Sequence, residues 1–181
     1  MLLEKNESCL VLVDVQEKLA PLVLNAEAII DRCDWLLRLA NELKIPCVIS
    51  EQYPSGLGHT VTALQHSAKN HPNIEKVYFS CWRDAQFKKH VHELNKKQIV
   101  LIGIETHVCV LQTALDLQIA GFEVFVVVDA VSSRHEIDYK FGLKRMKQAG
   151  ITLVTAEMVF FEWVEKAGTP EFKVLSKSYL K

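Results

Sequence analysis

Short, nearly continuous apolar runs alternate with amphipathic stretches along this chain. The apolar runs predict six β-strands, at 9–15, 46–50, 77–80, Gln98–Ile104, 122–128 and 151–155. Most of them lack the alternation of apolar and polar residues that is typical of a half-exposed strand. Strands that are buried on both faces occur in parallel sheets covered by helices, so the pattern favours a parallel sheet.

The stretches between these strands carry apolar residues at helical spacing. They predict helices at Ala26–Leu43, Ala85–Leu94, 108–120 and 139–148. Gly121 and Gly150 each stand between a predicted helix and a predicted strand, where a left-handed C-cap belongs. This rhythm predicts the α/β class, as a three-layer α/β/α sandwich with right-handed crossovers. The longest irregular region is 51–74, and loops of that length are often functional.

Composition narrows the class of protein. We predict one domain over residues 1–181, because this length suits a single core. The 21 basic and 22 acidic residues give a net charge of −1, so we expect neither a nucleic-acid nor a membrane partner. No signal peptide is recognisable, and the five cysteines form no CxxC pair. We therefore expect reduced thiols in a cytoplasmic protein, with a mitochondrial location left open.

Three chemically active side chains fall near the predicted strand ends, beyond which open parallel sheets bind ligands. Asp14 interrupts the first apolar run, and Cys109 opens the helix that follows the fourth strand. Lys76 lies beside the third predicted strand. Each has an ordinary alternative, as a turn residue, a buried small hydrophobe or a surface charge. Their joint appearance favours one pocket that holds a carboxylate, an ammonium group and a thiol.

The thiol needs activation, because at a pKa near 8.5 only about a few per cent is ionised at neutral pH. A helix N-terminus lowers the pKa of a thiol, whereas the nearby Asp14 carboxylate raises it. If Lys76 lies between them, its charge offsets that of the carboxylate. We therefore expect a Cys109 thiol whose pKa is close to neutrality, with Asp14 as the acceptor of its proton.

Three motifs stand in order along the chain: VLVDVQ at 11–16, KVYFSCW at 76–82 and GIETHVCV at 103–110. Together they resemble the isochorismatase-like cysteine hydrolase superfamily. The stretch SEQYPSGLG at 50–58 resembles the uncharacterised hydrolase branch of that superfamily, the isochorismatase domain-containing proteins. The resemblance runs from about residue 8 to residue 165. It implies a six-stranded parallel, Rossmann-like sheet and an assembly of two or more copies.

The resemblance also implies roles for particular residues. The superfamily's catalytic triad falls on Asp14, Lys76 and Cys109, and its non-proline cis peptide falls at Ile104–Glu105. The backbone N–H groups of Glu105 and Cys109 would then form the oxyanion hole. Further residues are candidates to bind substrate, namely Gln16, Gln52, Tyr53, Phe79, Trp82 and His107. For the aromatic residues among them, ordinary core packing is the alternative.

Departures from the superfamily's patterns refine the expected reaction. Its nicotinamidases bind a metal through an Asp-x-His pair and a second His after strand two. Here that segment has only His59 and no Asp, so we expect no metal and no cofactor. Isochorismatases proper cleave a vinyl ether without the cysteine, and the presence of Cys109 favours acyl transfer instead. We expect a cysteine-dependent hydrolase of a small non-peptide C–N (amide-type) substrate, with an acyl-thioester intermediate.

Two other functions stay open. The first is a non-catalytic, oligomeric interaction protein of the same fold. Its interface would be the apolar segment 158–164, which could equally be a helix that covers the core. The second is a flavodoxin-like nucleotide or flavin binder. The chain has neither a GxGxxG motif after its first strand nor a Walker sequence, so this function has little support.

Overall fold

A computed structural model describes residues 1–180. Its strands are β1 (Ser8–Val13), β2 (Cys47–Gln52), β3 (Asn73–Lys76), β4 (Gln98–Ile104), β5 (Glu123–Ser132) and β6 (Thr152–Val154). All neighbouring strands pair in parallel, in the order β3-β2-β1-β4-β5-β6. The predicted α/β class and the six-stranded, Rossmann-like parallel sheet are confirmed.

Helices cover both faces of the sheet. They are α1 (Ala26–Leu43), α2 (Pro54–Leu57), α3 (Thr62–Ala68), α4 (Ala85–Leu94), α5 (Leu111–Ile119), α6 (Glu136–Gln148), α7 (Ala156–Val164) and α8 (Pro170–Tyr179). One hydrophobic core lies between the sheet and α1, α7 and α8, and a second lies between the sheet and α4, α5 and α6. This is the predicted three-layer arrangement. Within residues 1–180, no helix is both long enough and apolar enough to span a bilayer.

The central strands explain the missing alternation of polarity. Along β1, Leu10 and Leu12 pack into the first core, whereas Cys9, Val11 and Val13 pack into the second. All five side chains are fully buried. Because both faces are covered by helices, every position of the strand favours an apolar residue.

Helix ends follow the sequence signals closely. α1 and α4 have the predicted bounds. Gly121 and Gly150 follow α5 and α6 with φ values of 94° and 90°, which is the left-handed conformation expected of a C-cap glycine. Each glycine therefore turns the chain from a helix back into the sheet.

The third strand differs from the prediction. β3 is Asn73–Lys76, not 77–80, and it pairs with the carboxyl half of β2. Val77, Tyr78 and Phe79, which suggested a buried strand, are all more than half exposed. An apolar run alone cannot distinguish a core strand from an exposed apolar patch. Lys76 is therefore the last residue of β3 and lies at the carboxyl edge of the sheet.

Two other regions are more regular than their sequences indicate. The segment 51–74 contains the end of β2, the helices α2 and α3, and the start of β3. Near the C-terminus, α7 buries Val159, Phe160 and Trp163 in the first core. The apolar segment 158–164 therefore mainly covers the core, and only about half of the Met158 and Phe161 side chains is exposed.

Candidate active site

A buried ion pair joins the ends of β1 and β3. Asp14, directly after β1, has a φ of 51°, a left-handed conformation that is uncommon for residues other than glycine. The Lys76 Nζ atom at the end of β3 lies 2.6 Å from the Asp14 Oδ2 atom. The two side chains are only 1% and 0% exposed. The sheet therefore places a carboxylate and an ammonium group together, away from water.

A glycine allows β4 to reach the same place. Gly103 has a φ of 111°, and a Cβ atom there would lie 2.2 Å from the backbone oxygen of Val13. A side chain at this position would collide with the end of β1. Only glycine lets the strand turn here, so the chain after β4 passes directly beside Asp14.

Cys109 lies in a π-helical turn, Thr106–Val110, that precedes α5. The peptide bond between Ile104 and Glu105 is cis, as the resemblance implies. The Glu105 carbonyl oxygen then accepts hydrogen bonds from two backbone N–H groups of the turn. The Cys109 side chain packs in the second core and is 6% exposed. Short π-helical segments are frequent at functional sites.

The electrostatics of the thiol differ from the prediction. Burial raises the pKa of Cys109, and the Asp14 carboxylate raises it further, whereas Lys76 lowers it. The expected pKa close to neutrality is therefore wrong, because loss of solvent outweighs the positive charge. Burial alone would lower the pKa of Lys76, but the Asp14 carboxylate and the nearby thiols raise it above its ordinary value. At neutral pH the site holds a protonated thiol and a charged Lys76.

The two predicted glutamines support Lys76. The Gln52 Oε1 atom accepts a hydrogen bond from Lys76 Nζ at 2.8 Å, and Gln52 Nε2 donates to the Val77 carbonyl oxygen. Gln16 accepts from the Gln52 backbone N–H at 2.7 Å and donates to the backbone oxygens of Gln52 and Gly58. Their amide groups are therefore used inside the protein, where they fix Lys76 and the end of β2.

Three other predicted residues are neighbours of the triad: Phe79 and His107 in sequence, and Tyr53 through a backbone hydrogen bond. Tyr53 follows Gln52, and its N–H donates to the Lys76 carbonyl oxygen at 2.8 Å. The side chains of Tyr53 and Phe79 are both more than half exposed. His107 lies in the turn of Cys109, with its Nδ1 atom 2.9 Å from Ser133 Oγ.

Trp82 is not part of this group. Its ring packs edge-on against Phe122, with the two ring centroids 5.2 Å apart, and it packs in the same way against His92. Phe122 directly precedes β5, so it lies at the amino edge of the sheet. The prediction that Trp82 binds substrate is therefore wrong, because the 3₁₀ turn after β3 directs its ring toward α4.

Two residues that contact the site were missed. The Ser50 Oγ atom donates to Asp14 Oδ1 at 2.7 Å, and Arg134 Nε donates to Glu105 Oε1 at 2.7 Å. Ser50 interrupts the apolar run of β2 as Asp14 interrupts that of β1, so the same signal was available. Arg134 had no such signal, because its contact depends on where β5 ends.

The segment after β2 uses its acidic residue to close a loop. The buried Glu51 carboxylate accepts hydrogen bonds from the Thr60 backbone N–H at 2.6 Å and the Thr60 hydroxyl at 2.7 Å. Its other oxygen lies 3.0 Å from His59 Nδ1. Among residues 1–180, no three His, Cys, Asp or Glu side chains are grouped so that they could share a metal ion.

A cavity of about 570 Å³ lies elsewhere, between the start of α1, the start of α6 and the end of β5. Its lining is largely apolar and contains none of the three triad residues. This cavity has no grouping of carboxylate, ammonium and thiol, whereas that grouping is present at Cys109. We assign the active site by its chemistry.

Comparison with known proteins agrees with the fold and the motifs. The Isochorismatase domain model matches residues 8–158. Isochorismatase domain-containing protein 2A of Mus musculus is 39% identical over 172 residues, which cover 95% of this chain and 82% of the mouse protein.

Two solved structures are also similar. MAR1 ribonuclease from Caenorhabditis elegans has a TM-score of 0.93 at 39% identity, covering 100% of this chain and 93% of that one. The YcaC protein of Escherichia coli, described as an octameric hydrolase of unknown specificity, has a TM-score of 0.88 at 29% identity. That match covers 99% of this chain and 96% of YcaC. The chain belongs to the isochorismatase family and has its hydrolase fold.

Proposed function

We propose that this protein is a cysteine-dependent hydrolase of a small, non-peptide C–N (amide-type) bond. The observation that carries the proposal is the buried Asp14–Lys76 pair beside the Cys109 thiol. Buried ion pairs are poor stabilisers, because both charges lose their hydration. Their place at the carboxyl edge of a parallel sheet, next to a nucleophile, supports a catalytic use.

In the proposed first step, the Cys109 sulfur attacks the substrate's carbonyl carbon, and the thiol proton passes to Asp14. The new C–S bond converts the carbonyl oxygen into an oxyanion, which the backbone N–H groups of Glu105 and Cys109 stabilise. When this intermediate collapses, the C–N bond breaks. The leaving nitrogen takes the proton from Asp14, and an acyl thioester remains on Cys109.

In the second step, a water molecule attacks the thioester and gives its proton to Asp14. The C–S bond breaks, the carboxylic acid leaves, and Cys109 recovers its proton from Asp14. Before each proton transfer Lys76 is charged, because the Asp14 carboxylate raises its pKa. Its role is to hold the Asp14 carboxylate in place and to stabilise developing negative charge.

The surroundings of Cys109 favour a compact substrate. Only 6% of the Cys109 residue is exposed, so a bulky chain would have little access to its sulfur. We propose that Tyr53, Phe79 and His107 contact the substrate. Gln16 and Gln52 instead support Lys76, since their amide groups already bond within the protein.

Two other functions, RNA cleavage and non-catalytic interaction, have less support from the same residues. The similar protein from C. elegans is described as a ribonuclease. The net charge of −1 here provides no long-range attraction for a polyanion, so RNA serves as the contrasting substrate. A non-catalytic interaction protein would have no use for a buried thiol beside a charged pair, and α7 buries most of its proposed interface.

The test is a screen of small primary carboxamides for ammonia release, with intact-mass detection of an acyl adduct. Wild type is compared with Cys109→Ala and with Cys47→Ala, which removes a buried thiol at the start of β2, at the opposite edge of the sheet. We expect release and adduct to depend on Cys109 and to survive Cys47→Ala. Hydrolysis that survives Cys109→Ala, or cleavage of RNA alone, would contradict the proposal.

We also propose that the protein forms homo-oligomers. The similar YcaC structure is octameric, and the exposed apolar residues Val77 and Tyr78 here form a surface suited to a second copy. Light scattering should give at least twice the mass of the 20.6 kDa chain. Tyr78→Ser should shift the protein toward monomers. A monomeric wild type would overturn this proposal.

A further inference from the structure

Both oxygens of the Asp14 carboxylate have a partner. Oδ2 holds Lys76, whereas Oδ1 accepts the hydroxyl of Ser50 at 2.7 Å. Ser50 belongs to β2, which is the strand next to β1, and it is 1% exposed. Asp14 is therefore held by a charged donor on one oxygen and by a neutral donor on the other.

The Ser50 hydroxyl is itself oriented by a second buried thiol. The Cys81 Sγ atom donates to Ser50 Oγ at 3.4 Å, so the single proton of the hydroxyl is free to point at Asp14. Cys81 is fully buried, and its backbone N–H donates to Thr113 Oγ1 at 2.9 Å. Burial, with the Asp14 carboxylate second, raises the pKa of Cys81 to about 11. The thiol is therefore protonated at neutral pH and remains a donor.

We infer that Ser50, oriented by Cys81, is a positioning residue that holds the Asp14 carboxylate ready to accept the proton of Cys109. This inference rests on the proposed function, in which Asp14 is that acceptor. The titratable groups that face Asp14 are Lys76, Cys81 and Cys109. Because Ser50 and Lys76 each bind one oxygen of the carboxylate, Asp14 is held in a single orientation from which it can accept the proton.

The test measures the rate at which iodoacetamide labels Cys109 at about pH 7. Wild type is compared with Ser50→Ala and Ser50→Thr. For Ser50→Ala, we expect labelling to be about tenfold slower, because a hydrogen bond to a charged group is lost. Ser50→Thr keeps the hydroxyl and should restore the wild-type rate. An unchanged rate in Ser50→Ala, or no rescue by threonine, would overturn the inference.

A second pair of variants covers the case in which the Ser50 variants do not fold. Cys81→Ser keeps a donor to Ser50 and should retain the wild-type rate of Cys109 labelling, whereas Cys81→Ala should slow labelling by less than Ser50→Ala does. A Cys81→Ala rate equal to that of wild type would overturn the role of Cys81. If the Ser50 variants do not fold, that equal rate would overturn the roles of both residues.

Because labelling needs no substrate, it tests the role of Cys109 as nucleophile and the role of Ser50 separately. If Cys109 of wild type is not labelled ahead of the other cysteines, the proposed nucleophile fails. If wild type is labelled as expected and Ser50→Ala is labelled in the same way, only the role of Ser50 fails.

Discussion

Two buried polar networks lie at opposite ends of the strands β1 and β4. At the amino end, Ser8 accepts a hydrogen bond from Trp163 Nε1 at 3.0 Å and donates to the Glu4 carbonyl oxygen at 2.8 Å. Gln98 accepts from the Glu4 N–H at 2.7 Å. At the carboxyl end, Asp14 is bonded to Lys76 and Ser50 beside a thiol. Both networks lie against the same sheet, and each contains buried polar side chains.

The amino-end network serves the stability of the fold, whereas the carboxyl-end network serves the proposed chemistry. The amino-end network contains no buried ion pair, and it fastens the start of the chain and α7 to the sheet. The carboxyl-end network buries two opposite charges, which is an inefficient way to stabilise a fold. An arrangement of this kind is expected where a charged group must meet a reacting atom in a site that excludes water. We therefore expect a substitution in the carboxyl-end network to lower the free energy of unfolding more than a substitution in the amino-end network.

The largest loss of stability should follow removal of one member of the buried ion pair. Lys76→Met leaves Asp14 uncompensated and should lower the free energy of unfolding by about 3–5 kcal/mol. The matched control is Lys140→Met, which removes an exposed pair with Glu136 of nearly equal length, 2.7 Å. The control should leave the free energy of unfolding almost unchanged. Urea denaturation measures both, and equal losses would remove the distinction between buried and exposed pairs.

The amino-end network should affect stability alone. Gln98→Ala removes the hydrogen bonds that the buried Gln98 amide makes with the Glu4 N–H, the Leu2 carbonyl oxygen and the Ser8 hydroxyl, and should cost about 1–3 kcal/mol of unfolding free energy. Under native conditions the labelling rate of Cys109 should stay at the wild-type value. A changed rate in folded Gln98→Ala protein would mean that the two networks are coupled across the sheet.

The smallest effect should come from the loop that Glu51 closes. The hydrogen bond to Glu51 raises the pKa of His59 above its ordinary value of 6.5. Protonated His59 therefore adds stability that is present below this ordinary value and lost as the pH rises through the raised pKa. The urea midpoint of wild type should exceed that of His59→Gln at about pH 6, and the difference should shrink by about pH 8.5. A difference in urea midpoint that does not change with pH would contradict an ion pair between His59 and Glu51.

The sequence predicted those features that depend on local pattern. The bounds of β4, α1 and α4 follow from apolar runs, helical spacing and end signals. Asp14 was recognisable because it interrupts an apolar run. Cys109 was recognisable because it follows such a run, at the start of a predicted helix. Parallel topology then brings such strand ends to one edge, so their grouping was predictable as well.

The remaining features depend on packing between distant segments. The pKa of Cys109 was predicted in the wrong direction, because the extent of burial is not visible in a motif. β3 was misplaced because an exposed apolar run has the same sequence signature as a buried one. The contact between Ser50 and Cys81 joins residues 31 positions apart, and no local pattern indicates it.

The most direct test of the central claim is the labelling rate of Cys109 by iodoacetamide in wild type and in Asp14→Asn. Two effects of Asp14 have opposite signs. Its negative charge raises the pKa of the thiol, whereas a base accepts the thiol's proton. If Asp14 is the base, Asp14→Asn should be labelled at least about 100-fold more slowly near pH 7. If Asp14→Asn is labelled as fast as wild type or faster, Asp14 acts only through its charge and the account is wrong.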